Sequence, residues 1–170
     1  HARRLAARQA KERLEELKAS LKVDSTILVF DVADQKSVIL AFESLTGDWK
    51  NIDILVNNAG NAHGMSAIQD GDVADWDAMM ASNVTGLLYV SKEVIKGMVE
   101  RQSGHILNLS SIAGKQTYPN GNVYCASKAA VESLTQQQAI ELARYQIRVN
   151  CIAPGTTSTD MIDDTIGRAA

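Results

Sequence analysis

Tyr124-Cys125-Ala126-Ser127-Lys128, with Ser111 upstream and Asn83 further upstream, is the stretch on which the reading of this chain turns. In a helix, residues four apart share one face. A lysine four past a tyrosine can therefore bring its ammonium to the side of the phenol. A neighbouring positive charge favours phenolate over phenol and lowers the tyrosine pKa from about 10 toward working pH. A tyrosine that acts as general acid and base needs that shift. The pair alone is a weak signal, because any helix can hold one, and a packed tyrosine beside a solvated lysine has the same spacing.

Working outward, helical and strand patterns alternate, which predicts βαβ units and a parallel sheet. Val123 to about Tyr145 reads as the long helix carrying the pair, and Ile147 to Ala153 as the next strand, ended by Pro154-Gly155. Upstream, Ile112 to Asn122 is a loop rich in glycine and proline, and His105 to Leu109 is a strand. Trp76 to about Arg101 is helical with a break near Asn83. Ile52 to Val56 is almost wholly apolar, as a strand buried on both faces should be. Asp34 is the expected N-cap of a helix running to about Leu45. Thr26 to Phe30 is a short β-rich run, and Arg3 to Leu21 is a helix with a leucine stripe. Asp31, Asn58, Ser111 and Pro154 all follow strand-like runs. They should line one edge of the sheet, outside the carboxyl ends of the strands, where open α/β sheets bind ligands.

The ordered set Asp31-Val32, Asn57-Asn58-Ala59-Gly60, Asn83, Asn108-Leu109-Ser110-Ser111, Tyr124…Lys128 and Pro154-Gly155 with Thr159 resembles the classical short-chain dehydrogenase/reductase family. The likeness runs from the first residues to about Met161, and Tyr124 lies thirteen residues after Ser111, the spacing of that family's catalytic serine. Gly97-Met98-Val99-Glu100-Arg101, Gly121-Asn122-Val123-Tyr124 and Arg3-Arg4 look most like its NADP-dependent 3-hydroxy acid (serine-type) dehydrogenases. The resemblance implies an α/β fold of the Rossmann type, a doubly wound parallel sheet with helices on both faces. The family's opening strand, glycine-rich turn and helix have no counterpart here, and its last strand and helix are also missing. Residues 1–170 are therefore expected to be a single dinucleotide-binding oxidoreductase domain, incomplete at both ends.

The same resemblance assigns roles. Tyr124 would exchange a proton with the substrate oxygen, and Ser111 would hydrogen-bond that oxygen. Lys128 would hold the nicotinamide ribose, and Asn83 would hold a water linking Lys128 to solvent. Asp31 would accept from the adenine amino group, with Val32 packing on the ring. Asn58, Ala59 and Gly60 would let backbone approach the cofactor ribose, although Asn58 could equally tie neighbouring strands together. Pro154 and Gly155 would bend the chain beneath the nicotinamide, with Thr157 and Thr159 at the carboxamide or diphosphate. Arg3 and Arg4, with no acid beside them, fit a 2′-phosphate and favour NADP over NAD.

Composition excludes other classes. A net charge of −3 with 45% hydrophobic residues suits neither a polyanion binder nor a disordered chain. Cys125 and Cys151 sit in no metal or redox spacing, and two free thiols suit a reducing cytoplasm. No apolar run is long enough to span a bilayer. The expected activity is thus NADP-dependent interconversion of a secondary alcohol and a ketone, on a small-molecule substrate such as serine, by a homodimer or homotetramer. No nucleic-acid, membrane or metal role is expected. The competing reading is a non-catalytic or regulatory NADP-binding relative, or an inactive fragment. It predicts loss of Ser111, Tyr124 or Lys128, and all three are present.

Overall fold

The structure, a computed structural model, describes residues 2–64 and 66–156, with backbone alone for 2–10. Contacts divide the chain into two compact units, with the boundary between Asp31 and Val32.

The first unit holds α1 (Ala2–Ser20). Lys18 stands in its last turn, where a cation complements the carbonyl end of the helix. Of its leucine stripe, Leu14 is half-buried, Leu17 is 54% exposed and Leu21, just past the helix, is 45% exposed. Thr26 to Phe30, expected as a strand, carries no ladder. An extended run becomes a strand only when a ladder takes up its N–H and C=O groups, and among the described residues this run forms none.

The second unit is an α/β unit built on three parallel strands in the order β1 (Ile54–Asn57), β2 (Gly104–Leu109), β3 (Ile147–Ile152). The register brings Asn57, Asn108 and Cys151 level, so the strands end together along one edge. α2 (Gln35–Glu43) precedes β1, α3 (Val73–Met80) and α4 (Gly86–Arg101) lie between β1 and β2, and α5 (Asn122–Leu142) lies between β2 and β3. Asp34 caps α2 as expected, accepting from the Lys36 N–H at 3.0 Å, and Asp72 caps α3 through Ala74 at 2.8 Å. Each such cap stabilises by about 1 kcal/mol. Gln102 and Gln146 follow α4 and α5 with φ of 53° and 59°, left-handed residues that let each chain turn into the next strand.

Burial alternates along the strands, and this decides which face is covered. Leu55, Asn57, Ile106, Asn108, Ile147 and Val149 are buried, while Ile54, Val56 and Ile152 are exposed. The buried face carries α4 and α5. A chain of buried hydrogen bonds fastens it. Asn57 Nδ2 donates to Ser91 Oγ on α4 and to Asn108 Oδ1 on β2, both at 2.9 Å. Asn108 Nδ2 in turn donates to Thr135 Oγ1 (2.9 Å) and Gln138 Oε1 (3.1 Å) on α5. The strand tie left open for Asn58 belongs to Asn57. Alternation turns Asn57 inward and leaves Asn58 exposed.

Candidate active site

The break expected near Asn83 is a π-helical segment, Ala81–Thr85, inserted between α3 and α4. It buries the Asn83 side chain to 2% exposure, toward the loop after β1 and the first turns of α5. Asn83 Nδ2 donates to the Asn61 carbonyl (2.9 Å) and to Ser127 Oγ (3.0 Å), while Oδ1 accepts from the Asn61 N–H (2.8 Å). Both amide protons are thus committed. π-segments of this kind recur at functional sites because they shift one residue out of the regular ladder.

Lys128 points back along α5 toward Tyr124. Its Nζ lies 5.8 Å from the centroid of the Tyr124 ring and donates to the Leu109 carbonyl, at the end of β2, at 3.0 Å. A charge at that range from a ring face is in cation–π reach. Lys128 is 7% exposed, and burial holds its ammonium below the ordinary value of 10.5, with Cys151 acting weakly in the opposite sense. Below the lowered pKa both the folded and unfolded chains are protonated and the full cost of burying the charge is present. The cost is lifted as pH rises from the folded pKa to 10.5. At neutral pH, Lys128 is therefore a residue kept at some expense of stability.

Ser111 and Ser110 separate clearly. Ser110 is 5% exposed, and its hydroxyl lies 3.0 Å from the Lys128 carbonyl, within the core. Ser111 is half-buried, and its Oγ accepts from the Ala113 N–H at 3.2 Å, capping the short turn Ile112–Gly114. That turn is pressed on α5: a Cβ on Gly114 would lie 2.9 Å from the Lys128 carbonyl carbon. The absence of a side chain there sets Ser111 close to the Tyr124–Lys128 turn. Pro154, after β3, accepts from the Ile112 N–H at 3.0 Å, which brings the last loop to the same edge.

Gly60 completes the arrangement. A Cβ built on it would meet Asn83 Oδ1 at 3.1 Å and Lys128 Nζ at 3.4 Å. Asn58, Ala59 and Gly60 are exposed and small, so backbone is open to a ligand directly above the lysine. This cradle fits a ribose held by Lys128 and by main-chain groups. We expect Gly60→Val to lower kcat by about tenfold or more, since the Asn83 amide has little freedom to retreat. Steady-state kinetics, with a melting curve to show that the variant is folded, check this; an unchanged kcat would remove Gly60 from the site.

The other expected residues are distributed as follows. Val32 is half-buried against the start of α4, within 3.0 Å of the Cβ position of Gly86. Gly155 is exposed. Asp31 is exposed and closes the first unit. The backbones of Arg3 and Arg4 are in α1, and their side chains lie outside the described residues, as do Thr157 and Thr159. Two residues beside the site escaped sequence reasoning. Ser127 is fully buried between Tyr124 and Lys128. Tyr118 opens the turn Tyr118-Pro119-Asn120-Gly121, closed by Gly121 N–H to Tyr118 O at 3.0 Å with Asn120 at φ 65°. Burial, then Cys125 and Tyr124, push the Tyr118 phenol above 10.0. The Pro-Asn-Gly turn chemistry was the available signal for it.

Comparison with known proteins agrees with this geometry. The family model for short chain dehydrogenases matches residues 2–167. The NADP-dependent 3-hydroxy acid dehydrogenase YdfG of Escherichia coli strain K12 is 42% identical over 151 residues, covering 89% of this chain and 61% of that protein. A structure described as the closed form of serine dehydrogenase complexed with NADP+ superposes with a TM-score of 0.87 at 39% identity, over 93% of this chain and 66% of that one. An NAD+-bound xylitol dehydrogenase gives 0.86 at 35% identity, over 92% and 61%. The chain thus spans about three fifths of the length of the curated relatives it matches.

Proposed function

Because the chain belongs to the short-chain dehydrogenase family, we propose that it acts as an NADP-dependent oxidoreductase interconverting a secondary alcohol and a ketone. The substrate we infer is a small 3-hydroxy acid such as serine. Relatives 41% and 42% identical carry the name NADP-dependent 3-hydroxy acid dehydrogenase. The observation that carries the reading is the buried Lys128 ammonium beside the Tyr124 ring, directly below the Cβ-free position of Gly60.

The roles follow from the chemistry of each group. Tyr124 gives its phenol proton to the carbonyl oxygen in reduction and takes it back in oxidation. Ser111 donates to the same oxygen and stabilises the charge that builds there. Lys128 holds the ribose hydroxyls, with its ammonium beside the Tyr124 ring. Asn83 keeps the loop after Gly60 in place. Asp31, Val32, Asn58, Ala59, Pro154, Gly155, Thr157 and Thr159 make up the rest of the cofactor site. The bound nicotinamide supplies or accepts the hydride. We take residues 1–170 to belong to one dinucleotide-binding domain of a cytoplasmic homodimer or homotetramer. Among the described residues no helix is long and apolar enough to cross a membrane.

The test is NADPH absorbance followed with L-serine, 3-hydroxypropionate, a sugar alcohol and a cyclic ketone. Turnover of the hydroxy acids above the others is expected, and turnover of none refutes an oxidoreductase. Cofactor choice has its own test. Arg3→Ala or Arg4→Ala should weaken NADPH more than NADH, because a guanidinium contributes charge-assisted bonds only to the 2′-phosphate. Equal weakening of both would count against that assignment.

A further inference from the structure

We propose that Ser127 is a positioning residue for this reaction: its hydroxyl fastens the Tyr124–Lys128 turn of α5 to the π-helical segment through Asn83. The inference rests on the oxidoreductase reading above and adds to it a residue that none of the expected roles includes.

The Ser127 side chain is completely buried, at 0% exposure. Its Oγ donates to the Tyr124 carbonyl at 2.8 Å and accepts from Asn83 Nδ2 at 3.0 Å. The first bond runs within α5, three residues back. The second crosses to another element. One hydroxyl therefore joins the backbone of the proton-transfer residue to an amide whose remaining proton goes to the Asn61 carbonyl, beyond Gly60. The path runs Tyr124, Ser127, Asn83, Asn61, and the Cβ position of Gly60, beside it, lies 3.1 Å from Asn83 Oδ1 and 3.4 Å from Lys128 Nζ.

Geometry makes the hydroxyl hard to replace. Serine bonding back to a carbonyl in the preceding turn is slightly unfavourable in an isolated helix, where it competes with the backbone ladder. Here the same oxygen also satisfies a buried N–H. Removing it leaves Asn83 Nδ2 with an unpaired proton away from water, which the protein can relieve only by rotating the amide or shifting the segment. Either movement changes the height of Asn83 and Gly60 above Lys128. Misplacement of reacting groups by about 1 Å is enough for a hundredfold loss of rate.

Ser127→Ala is expected to lower kcat by roughly ten- to hundredfold, with KM for NADPH little changed. Ser127→Thr keeps the oxygen and should recover most of the rate. Hydrogen exchange of peptides covering residues 80–86 and 122–128 provides a readout independent of activity, and both should exchange faster in Ser127→Ala. A kcat loss with unchanged exchange of both peptides would overturn the proposal, as would an unchanged kcat in an active enzyme. If the unaltered protein turns over no substrate yet Ser127→Ala loosens both peptides together, the oxidoreductase reading fails and the coupling stands.

Discussion

Tyr124→Phe should lower kcat by roughly two to four orders of magnitude, the contribution of a positioned general acid, and leave NADPH affinity essentially intact. The substitution removes one oxygen and keeps the ring. The ring is half-buried at the start of α5 with Lys128 Nζ 5.8 Å from its centroid, and Phe can fill the same space and keep the same cation–π contact. Lys128 also keeps its bond to the Leu109 carbonyl, so the ammonium has no reason to move. The cofactor contacts proposed for Lys128 and for the backbone at Asn58–Gly60 should therefore be unaffected. What disappears is the proton that the carbonyl oxygen must receive. NADPH binding followed by fluorescence and turnover followed by absorbance separate the two effects. Retained turnover would take the acid role from Tyr124. A loss of NADPH binding equal to the loss of rate would make it a cofactor ligand instead.

How far the site was legible depends on the range of the interaction. Tyr124 and Lys128 were readable because their pairing is intrahelical, and fixed spacing in sequence becomes fixed placement in space. The exit points of the strands were readable for the same reason: Asn58, Ser111 and Pro154 follow apolar runs, and the parallel register places those ends together. The irregularity at Asn83 was legible as a break but not as a π-segment, because its cause is distant. It is stabilised by Asn61 and by Ser127, 22 and 44 residues away in sequence. The strand expected at Thr26 to Phe30 illustrates the reverse failure. Its β-rich composition is local, but a strand is a relation between two chains of peptide groups, and composition says nothing of the partner. The choice between Asn57 and Asn58 could not be made from the pair itself. It follows from where β1 ends, and the strand runs to Asn57, one residue beyond the expected Val56.

Asn108→Leu should destabilise the protein by about 3–5 kcal/mol, although it places a larger apolar side chain in a core site. The sign of the effect is the informative part. If Asn108 were an incidental polar residue, leucine would add apolar burial worth about 1–2 kcal/mol and raise stability. Asn108 is instead the centre of the bond chain: it accepts from Asn57 Nδ2 and donates to Thr135 Oγ1 and Gln138 Oε1, at 0% exposure. Leucine leaves one Asn57 N–H and the Gln138 carbonyl without these partners, away from water, and each such orphan costs about 1–3 kcal/mol. The loss corresponds to a melting temperature lower by roughly 6–20 °C for a chain of this size. Leucine's branched side chain must also fit between α4 and α5, so steric strain would push in the same direction. The double-mutant cycle Asn57→Ala, Asn108→Ala separates strain from bonding, because alanine introduces none. A coupling energy above about 0.5 kcal/mol identifies the direct bond between the two strands, and strict additivity would deny it. Because Ser91 of α4 and Thr135 of α5 hang from this chain, its loss should also slow turnover before it unfolds the protein. The helix that carries Tyr124 and the helix that follows the Asn83 segment are held over the sheet from the same two asparagines.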